Sequence, residues 1–283
     1  MKSKTFLCGF ASDDLFLSKF RYLKQAKKLN FYNKIFFYGY NDLSSESQIK
    51  INNYLKKGDR KIYGHGVWKP EIVYKSLLAI PDGSILQYSD VGCHFNPNGY
   101  NKLKLYENYC DKYEMLTFQY REPPNKKINL KYLIYNEYEY TKSDLIDYFN
   151  LKFDSQIVKS PQIWSGTFFI KKTMNTIKFI KKWQNTFNNM SLIDNSPSAR
   201  GECNGFIQNR DDQSTFSILC KLQNSFSLSV YDNCEWALNE NSRVWSHLND
   251  CPILAKRDLK YISLTKFIIN LKKIYNKKFS KKK

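Results

Sequence analysis

The chain has 283 residues, is 42% hydrophobic and carries a formal charge of +19. That is enough for one large α/β domain with a proper core, alone or with a helical extension, and the charge favours an anionic partner: nucleotide phosphates, anionic lipid or nucleic acid. The seven cysteines form no CxxC pair and no metal-ligand spacing, which points away from a disulfide or zinc framework and toward a reduced, cytoplasmic chain. No signal peptide is expected after Met1-Lys2-Ser3-Lys4, and no apolar run is long enough to span a bilayer. Aromatics make up 16%. They suit a sugar-binding cleft, and they equally suit the Tyr, Phe, Lys and Asn bias of an AT-rich genome.

Residues 5–10 read as the first strand, and Ala11-Ser12-Asp13 as the loop that caps the next helix. Residues 15–29 are amphipathic, with Arg21, Lys24, Lys27 and Lys28 on the wet side. Residues 34–38 (KIFFY) read as the second strand, so the chain opens with a βαβ unit suited to a nucleotide. Residues 41–61 are polar, with a helix expected around 49–55. Gly64, Gly66 and Pro70 open the next segment, in which Ile72, Val73, Ser76, Leu77 and Ile80 recur at helical spacing. Lys69 stands at that helix start, against the positive end of the dipole, which hints at function. Pro81-Asp82-Gly83 is a turn, because the proline ring presets φ and the glycine takes the left-handed position. The strand at 84–88 stops at Asp90-Val91-Gly92-Cys93. An acidic residue at the carboxyl end of a buried strand, followed by glycine, is where open α/β sheets hold ligands. The plain alternative is a turn residue or a helix cap.

Residues 101–113 read as a helix, 115–119 as a strand, Pro123-Pro124 as a break and 132–134 as an edge strand. Residues 136–144 lead into a helix over 145–149, with Thr141 and Asp144 spaced like a capping box. Ser160-Pro161-Gln162-Ile163-Trp164-Ser165-Gly166 feeds a strand at 167–170, and Gly166 reads as a β-bulge or bend, or as a point of close ligand approach. Residues 173–187 form an amphipathic helix with Met174, Ile177, Phe179, Ile180 and Trp183 inside. The Ser/Asn/Gly-rich run 191–205 is long enough for a lid or acceptor loop. Asn209-Arg210-Asp211-Asp212-Gln213-Ser214 leads into an apolar helix at 215–222, which either aspartate can cap. A strand at 227–231 follows, then an irregular run, 233–250, holding Trp236, Trp245 and His247. In the tail, Leu264, Phe267, Ile268, Leu271, Ile274 and Tyr275 share one helical face opposite lysines. That basic amphipathic helix suits an anionic membrane surface; a terminal helix docked on the core is the alternative.

Two of these runs carry a resemblance. Trp68-Lys69-Pro70, a helix, and then DGSILQYSDVGC (82–93) resemble bacterial GT-A-fold glycosyltransferases of capsule and lipooligosaccharide synthesis. Asp212-Gln213 at a helix start is similar to the Asp-Gln of retaining GT-A enzymes, including glycosyltransferase family 8. The resemblance runs from Thr5 to about Leu222. It implies a GT-A-like (Rossmann-like) mixed α/β sheet flanked by helices: a catalytic domain over 1–250, with a nucleotide-binding half at about 1–120 and an acceptor half at about 121–250, and a basic tail over 251–283.

It also implies transfer of a hexose or N-acetylhexosamine from a nucleotide diphosphate sugar, UDP-linked above all, to a saccharide or glycolipid acceptor of a surface polysaccharide or lipooligosaccharide. Gly9, Ala11, Ser12 and Arg21 are then expected at the nucleotide, and Lys69, with Lys256 or Arg257, at the phosphates. Tyr88, Asp90 and Gly92 belong to the metal–diphosphate site, and Lys142, Asp144, Gln162, Ser165 and Gly166 to the donor sugar. Asp212 and Gln213 are the catalytic pair, and His247 is a late metal ligand beside Asp90. The family motif is Asp-x-Asp and holds manganese. Here Gly92 stands at the second position, so the divalent cation, Mn or Mg, has fewer protein ligands. The His-Arg-His run that precedes Asp-Gln in relatives is Asn209-Arg210-Asp211 in this chain. The implied setting is the inner face of the membrane, with no nucleic-acid partner. The rival readings are a non-catalytic basic peripheral protein binding anionic lipid or nucleic acid, and a nucleotidyl- or phosphosugar transferase on a related sheet.

Overall fold

A computed structural model describes residues 5–256 together with Phe267, Ile268 and Leu271. Its first half contains β1 (Thr5–Phe10), α1 (Phe16–Lys28), β2 (Ile35–Tyr38), α2 (Ser45–Lys56), the single turn α3 (Ile62–His65), α4 (Trp68–Leu78), β3 (Ile85–Ser89), β4 (His94–Phe95), α5 (Tyr100–Tyr113) and β5 (Met115–Gln119). The second half contains α6 (Glu137–Tyr140), α7 (Ser143–Tyr148), α8 (Gln156–Lys159), β6 (Ile163–Lys171), α9 (Met174–Thr186), α10 (Asp212–Leu222), β7 (Phe226–Ser229), β8 (Ala237–Asn239), β9 (Ser242–Val244) and β10 (Ile253–Leu254).

Six strands form one mixed sheet in the order β2-β1-β3-β6-β5-β7. β1 runs parallel to β2 and β3, and β7 runs parallel to β5. β6 runs antiparallel to both β3 and β5. Its amino end therefore meets the carboxyl ends of β3 and β5 on one edge of the sheet, which is what assembles the site described below. Successive side chains of a strand face opposite ways, and β6 shows it: Phe168 enters one core and Phe169 the other. The first core lies under α4, α9 and α10 and holds Ile72, Leu77, Leu86, Trp183 and Phe216. The second lies under α1 and α5 and holds Leu7, Tyr22, Leu103, Tyr106 and Phe118. Helices thus cover both faces, and the central strands read as nearly continuous apolar runs.

Several elements differ from the sequence-based expectation. β6 begins at Ile163 rather than at 167, and its register to β5 shifts between the Phe118–Trp164 and Leu116–Phe169 pairs, so Ser165 and Gly166 lie in the irregular stretch that the glycine signals. Residues 132–134 form no strand; Lys131 makes one isolated bridge to Leu238. α10 begins at Asp212, three residues before the expected start. Met174, expected inside, is 68% exposed on the first turn of α9. The short β10 pairs with β4. β10 lies within the tail expected over 251–283, of which residues 257–283 fall outside the described residues, apart from Phe267, Ile268 and Leu271. Among the described residues no helix is long and apolar enough to cross a membrane.

Candidate active site

A cleft of about 1090 Å³ opens along the edge where β1, β3, β5 and β7 end and β6 begins. At its floor lies Lys69, on the first turn of α4. Lys69 Nζ is 2.6 Å from Asp212 Oδ2 and 3.3 Å from Asp90 Oδ1. Ser165 Oγ donates to Asp212 Oδ2 at 2.7 Å, and Lys69 Nζ donates to Ser165 Oγ at 3.2 Å. Tyr88 Oη donates to Asp90 Oδ1. The Asp90 N–H donates to the Gly166 carbonyl at 2.8 Å, which locks the loop after β3 to the start of β6. Lys69 and Asp212 are buried, whereas the Asp90 carboxylate is 39% exposed to the cleft. Two carboxylates that share one ammonium outweigh the helix dipole and account for a lysine at a helix start. Burial alone would pull the Lys69 pKa down, but Asp212 and Asp90 outweigh it and hold the ammonium above its ordinary value. Burial pushes the Asp212 carboxyl up, with Lys69 pulling it back and Asp90 adding to the rise.

The wall beside this floor is built on backbone of unusual hand. Ile62, Tyr63, Gly64, His65 and Gly66 all have positive φ, at 44°, 51°, 83°, 56° and 78°. The N–H groups of His65 and Gly66 donate to carbonyls four residues back, Lys61 and Ile62. α3 is therefore a turn of left-handed helix, a conformation that costs about 1–2 kcal/mol for each non-glycine residue. Side chains offset the strain. His65 is fully buried, with Nδ1 2.6 Å from Asp211 Oδ1 and Nε2 2.9 Å from Asp59 Oδ2. Lys61 Nζ is 3.1 Å from Asp211 Oδ2. Burial would lower the His65 pKa, but Asp211 and Asp59 outweigh it and raise the imidazole above its ordinary value. Asp211 itself has φ 54° and ψ −125°. A Cβ on Gly66 would lie 2.7 Å from Asp212 Oδ1, so glycine is required for the turn to reach α10. No side chain caps α10. Asp211 is turned to His65 and Asp212 to Lys69, which removes the plain capping reading of this pair.

The structure brings Ser12, Lys69, Asp90, Gly92, Ser165, Asp212 and Gln213 together on the cleft, and the other expected residues among those described do not line it. Gly9 lies inside β1, where Tyr22 Oη is 2.9 Å from the place a Cβ would occupy, so it makes room for a tyrosine. Ala11 is buried, and its N–H donates to the Tyr38 carbonyl. Arg21 donates to the carbonyls of Val91 and Cys93 and braces the Asp90 loop from behind. Tyr88 is buried and acts on Asp90. Lys142 donates to the carbonyls of Ser191 and Ser196, at 2.5 and 2.6 Å, and Asp144 accepts from the Ala199 N–H at 3.0 Å. Both tie down the 191–205 loop. Gln162 is buried behind Gln213, whose Nε2 donates to Gln162 Oε1 at 2.7 Å. Gln162 in turn donates to Glu137 Oε2 at 3.0 Å, and Glu137 is buried against Lys221 at 2.8 Å. Gly166 packs under the Trp164 ring. Lys256 lies over the Trp245 ring, and Arg257 is outside the described residues.

His247 does not line the cleft, and burial, with Lys127 nearby, lowers its pKa. Among the described residues no three His, Cys, Asp or Glu side chains converge as a metal site. The group that fits a divalent cation is Asp90 alone. Its Oδ1 is engaged by Tyr88 and Lys69, and its Oδ2 has no protein partner among the described residues. The two carboxylates and one ammonium leave net negative charge at the cleft floor. One hard oxygen ligand suits Mg or Mn whose other ligands come from a diphosphate and water.

Sequence reasoning passed over His65, Lys61 and Glu137. Their partners are far away in the chain, His65 and Asp211 being 146 residues apart. The available signal was a histidine enclosed by two glycines, Gly64 and Gly66.

No protein-family model matches the chain, and no curated protein matches it in sequence. Solved structures match it in shape. Mouse xyloside xylosyltransferase 1, in its apo form, matches with a TM-score of 0.39 at 9% identity, over 82% of this chain and 87% of that one. A glycosyltransferase involved in the glycosylation of the major capsid of PBCV-1 matches with a TM-score of 0.50 at 11% identity, over 93% of this chain and 98% of that one. That second likeness spans nearly all of both chains, and the fold is the helix-flanked mixed sheet expected from the resemblance.

Proposed function

We propose that this chain is a retaining glycosyltransferase that takes a UDP-linked hexose or N-acetylhexosamine and transfers the sugar to a saccharide or glycolipid acceptor of a surface polysaccharide. The observation that carries the reading is the Lys69–Asp90–Asp212 ring, set at the carboxyl edge of the sheet and open to a cleft of about 1090 Å³. The motif resemblance and the shared fold support it. The donor lies over the β1–β3 half, where Phe10 and Trp68, stacked on each other with centroids 4.2 Å apart, form part of the cleft lining. Asp90 offers its exposed carboxylate edge to the diphosphate side. A divalent cation held there supplies positive charge to the leaving diphosphate.

As the sugar–phosphate bond breaks, the anomeric carbon gains positive charge. Asp212, fixed by Ser165 and Lys69, faces that charge without reorganising. Gln213, held through its amide nitrogen, keeps its carbonyl for the same centre. The basic tail brings the enzyme to the anionic inner face of the membrane.

Thermal shift with UDP, GDP or CMP, with and without manganese, tests the reading. Ligand at a hundredfold its Kd adds about 2.7 kcal/mol, so UDP with manganese is expected to raise Tm by roughly 5 °C or more. Manganese alone is expected to do little, since the protein offers one ligand. Asp90→Asn should lose the UDP–manganese shift together with hydrolysis of UDP-sugars. No shift with any nucleotide sinks the transferase and leaves the basic peripheral binder.

A further inference from the structure

The donor chemistry leaves half of the cleft unused. Past Ser165, over the ends of β5 and β7, the lining turns aromatic: Tyr120, Tyr135, Trp164, Tyr231 and Trp236. Arg210 stands among these rings. Its guanidinium carbon is 3.9 Å from the Tyr135 ring centroid, 4.3 Å from Tyr140 and 5.5 Å from Tyr120. The Arg210 backbone N–H is bonded to Ser214 Oγ and the Tyr140 carbonyl. Among the described residues the guanidinium has no carboxylate or carbonyl partner. Glu235, which also lines the cleft, accepts instead from Tyr120 Oη at 3.4 Å and from the Trp236 N–H at 3.1 Å.

A guanidinium carries five N–H donors in one plane. Rings stacked on its faces fix that plane and leave its edge for a planar or tetrahedral oxyanion. Tyr120 and Tyr231 are buried behind, and the partly exposed rings of Tyr135, Trp164 and Trp236 suit the C–H faces of a pyranose. Trp164 precedes Ser165 on β6, and Arg210 comes two residues before Asp212, a span of at most about 7 Å. A sugar anchored on Arg210 therefore places a hydroxyl beside the reaction centre.

We propose that this half is the acceptor subsite and that it takes an anionic saccharide, with Arg210 binding the carboxylate or phosphate group. The proposal rests on the glycosyltransferase reading. The test uses the full chain with UDP and manganese present and three probes: methyl β-D-glucuronide, glucose 6-phosphate and methyl β-D-glucoside. Saturation-transfer NMR titrations give the three dissociation constants. At least one anionic probe is expected to bind tenfold or more tightly than the glucoside. Arg210→Gln should erase that difference, and Arg210→Lys should keep part of it, with circular dichroism confirming that both variants fold. A preference for the glucuronide assigns a uronic acid, and a preference for the phosphate assigns a phosphorylated sugar; each supports the proposal. Equal binding of all three, no binding, or an anion preference that survives Arg210→Gln overturns it. A UDP–manganese shift without anion preference sinks the acceptor subsite alone, whereas the absence of that shift sinks the transferase reading with it.

Discussion

Lys69 balances a buried charge that its absence would leave exposed to repulsion. Without it, Asp212 stays buried beside Asp90 with no counter-charge at 2.6 Å. Lys69→Met is therefore expected to lose about 3–5 kcal/mol of stability in urea unfolding, the usual cost of leaving one partner of a buried ion pair alone. Adding Asp212→Asn to that variant should return part of the loss. A single-variant effect near zero would mean that water already screens the pair. His65 makes a claim about pH. Asp211 and Asp59 raise its pKa above the ordinary 6.5. The stability it contributes is fully present below that ordinary value and is lost as pH rises through the raised one. Melting temperature should fall over that window, and His65→Gln should flatten the fall; an unchanged slope would show that the imidazole is not charged in the fold. Asp90 and Asp212 were legible in the sequence because each borders an apolar run, and Lys69 because it contradicts a helix dipole. Arg21 and Lys142 were misleading. A basic side chain looks the same in sequence whether it meets a phosphate or a carbonyl. In the fold the carbonyls of Val91 and Cys93, which are buried, take Arg21, and those of Ser191 and Ser196 in the 191–205 loop take Lys142.

The element that sets the shape of the site is the left-handed turn α3. Gly66 closes it at φ 78°, with Asp212 where a methyl group would go. Gly66→Ala should cost about 1–2 kcal/mol from the backbone alone, and more from displacing Asp212. Activity should fall further than stability does, as comparison of kcat with the unfolding free energy would show; equal, small losses would mean that the turn does not position Asp212. No periodicity in the sequence announces such a turn, since Ile62, Tyr63 and His65 all disfavour it. β6 was half legible for a related reason. Its apolar run was plain, and Gly166 marks the stretch where the register to β5 shifts. That the strand continues through this irregularity back to Ile163 depends on pairing that only the folded sheet supplies.

For the whole molecule, the net charge and the charge of the described cleft residues have opposite signs. The chain carries +19. The cleft is lined by Asp13, Asp14, Asp90, Asp211, Asp212 and Glu235 against Arg60, Lys61, Lys69 and Arg210. The excess of lysine therefore lies elsewhere, and its first effect is self-repulsion. Raising sodium chloride from about 0.05 to about 0.3 M shortens the screening length and should raise Tm; a fall would show that attractive surface pairs dominate. The main strands and much of both cores follow from apolar runs that the sequence displays; the strand order does not. The joining of residues 59–66 to 209–213 does not, because it exists only once distant segments meet. The clasp between His65 and Asp211 closes a loop of 146 residues. Contacts of that span carry a large loop-closure cost, and the clasp is expected to form after the folding barrier. Weakening the clasp should accordingly speed unfolding and leave the refolding rate almost unchanged. A nucleotide gripping the finished cleft would then lengthen the lifetime of the native state without hastening its arrival.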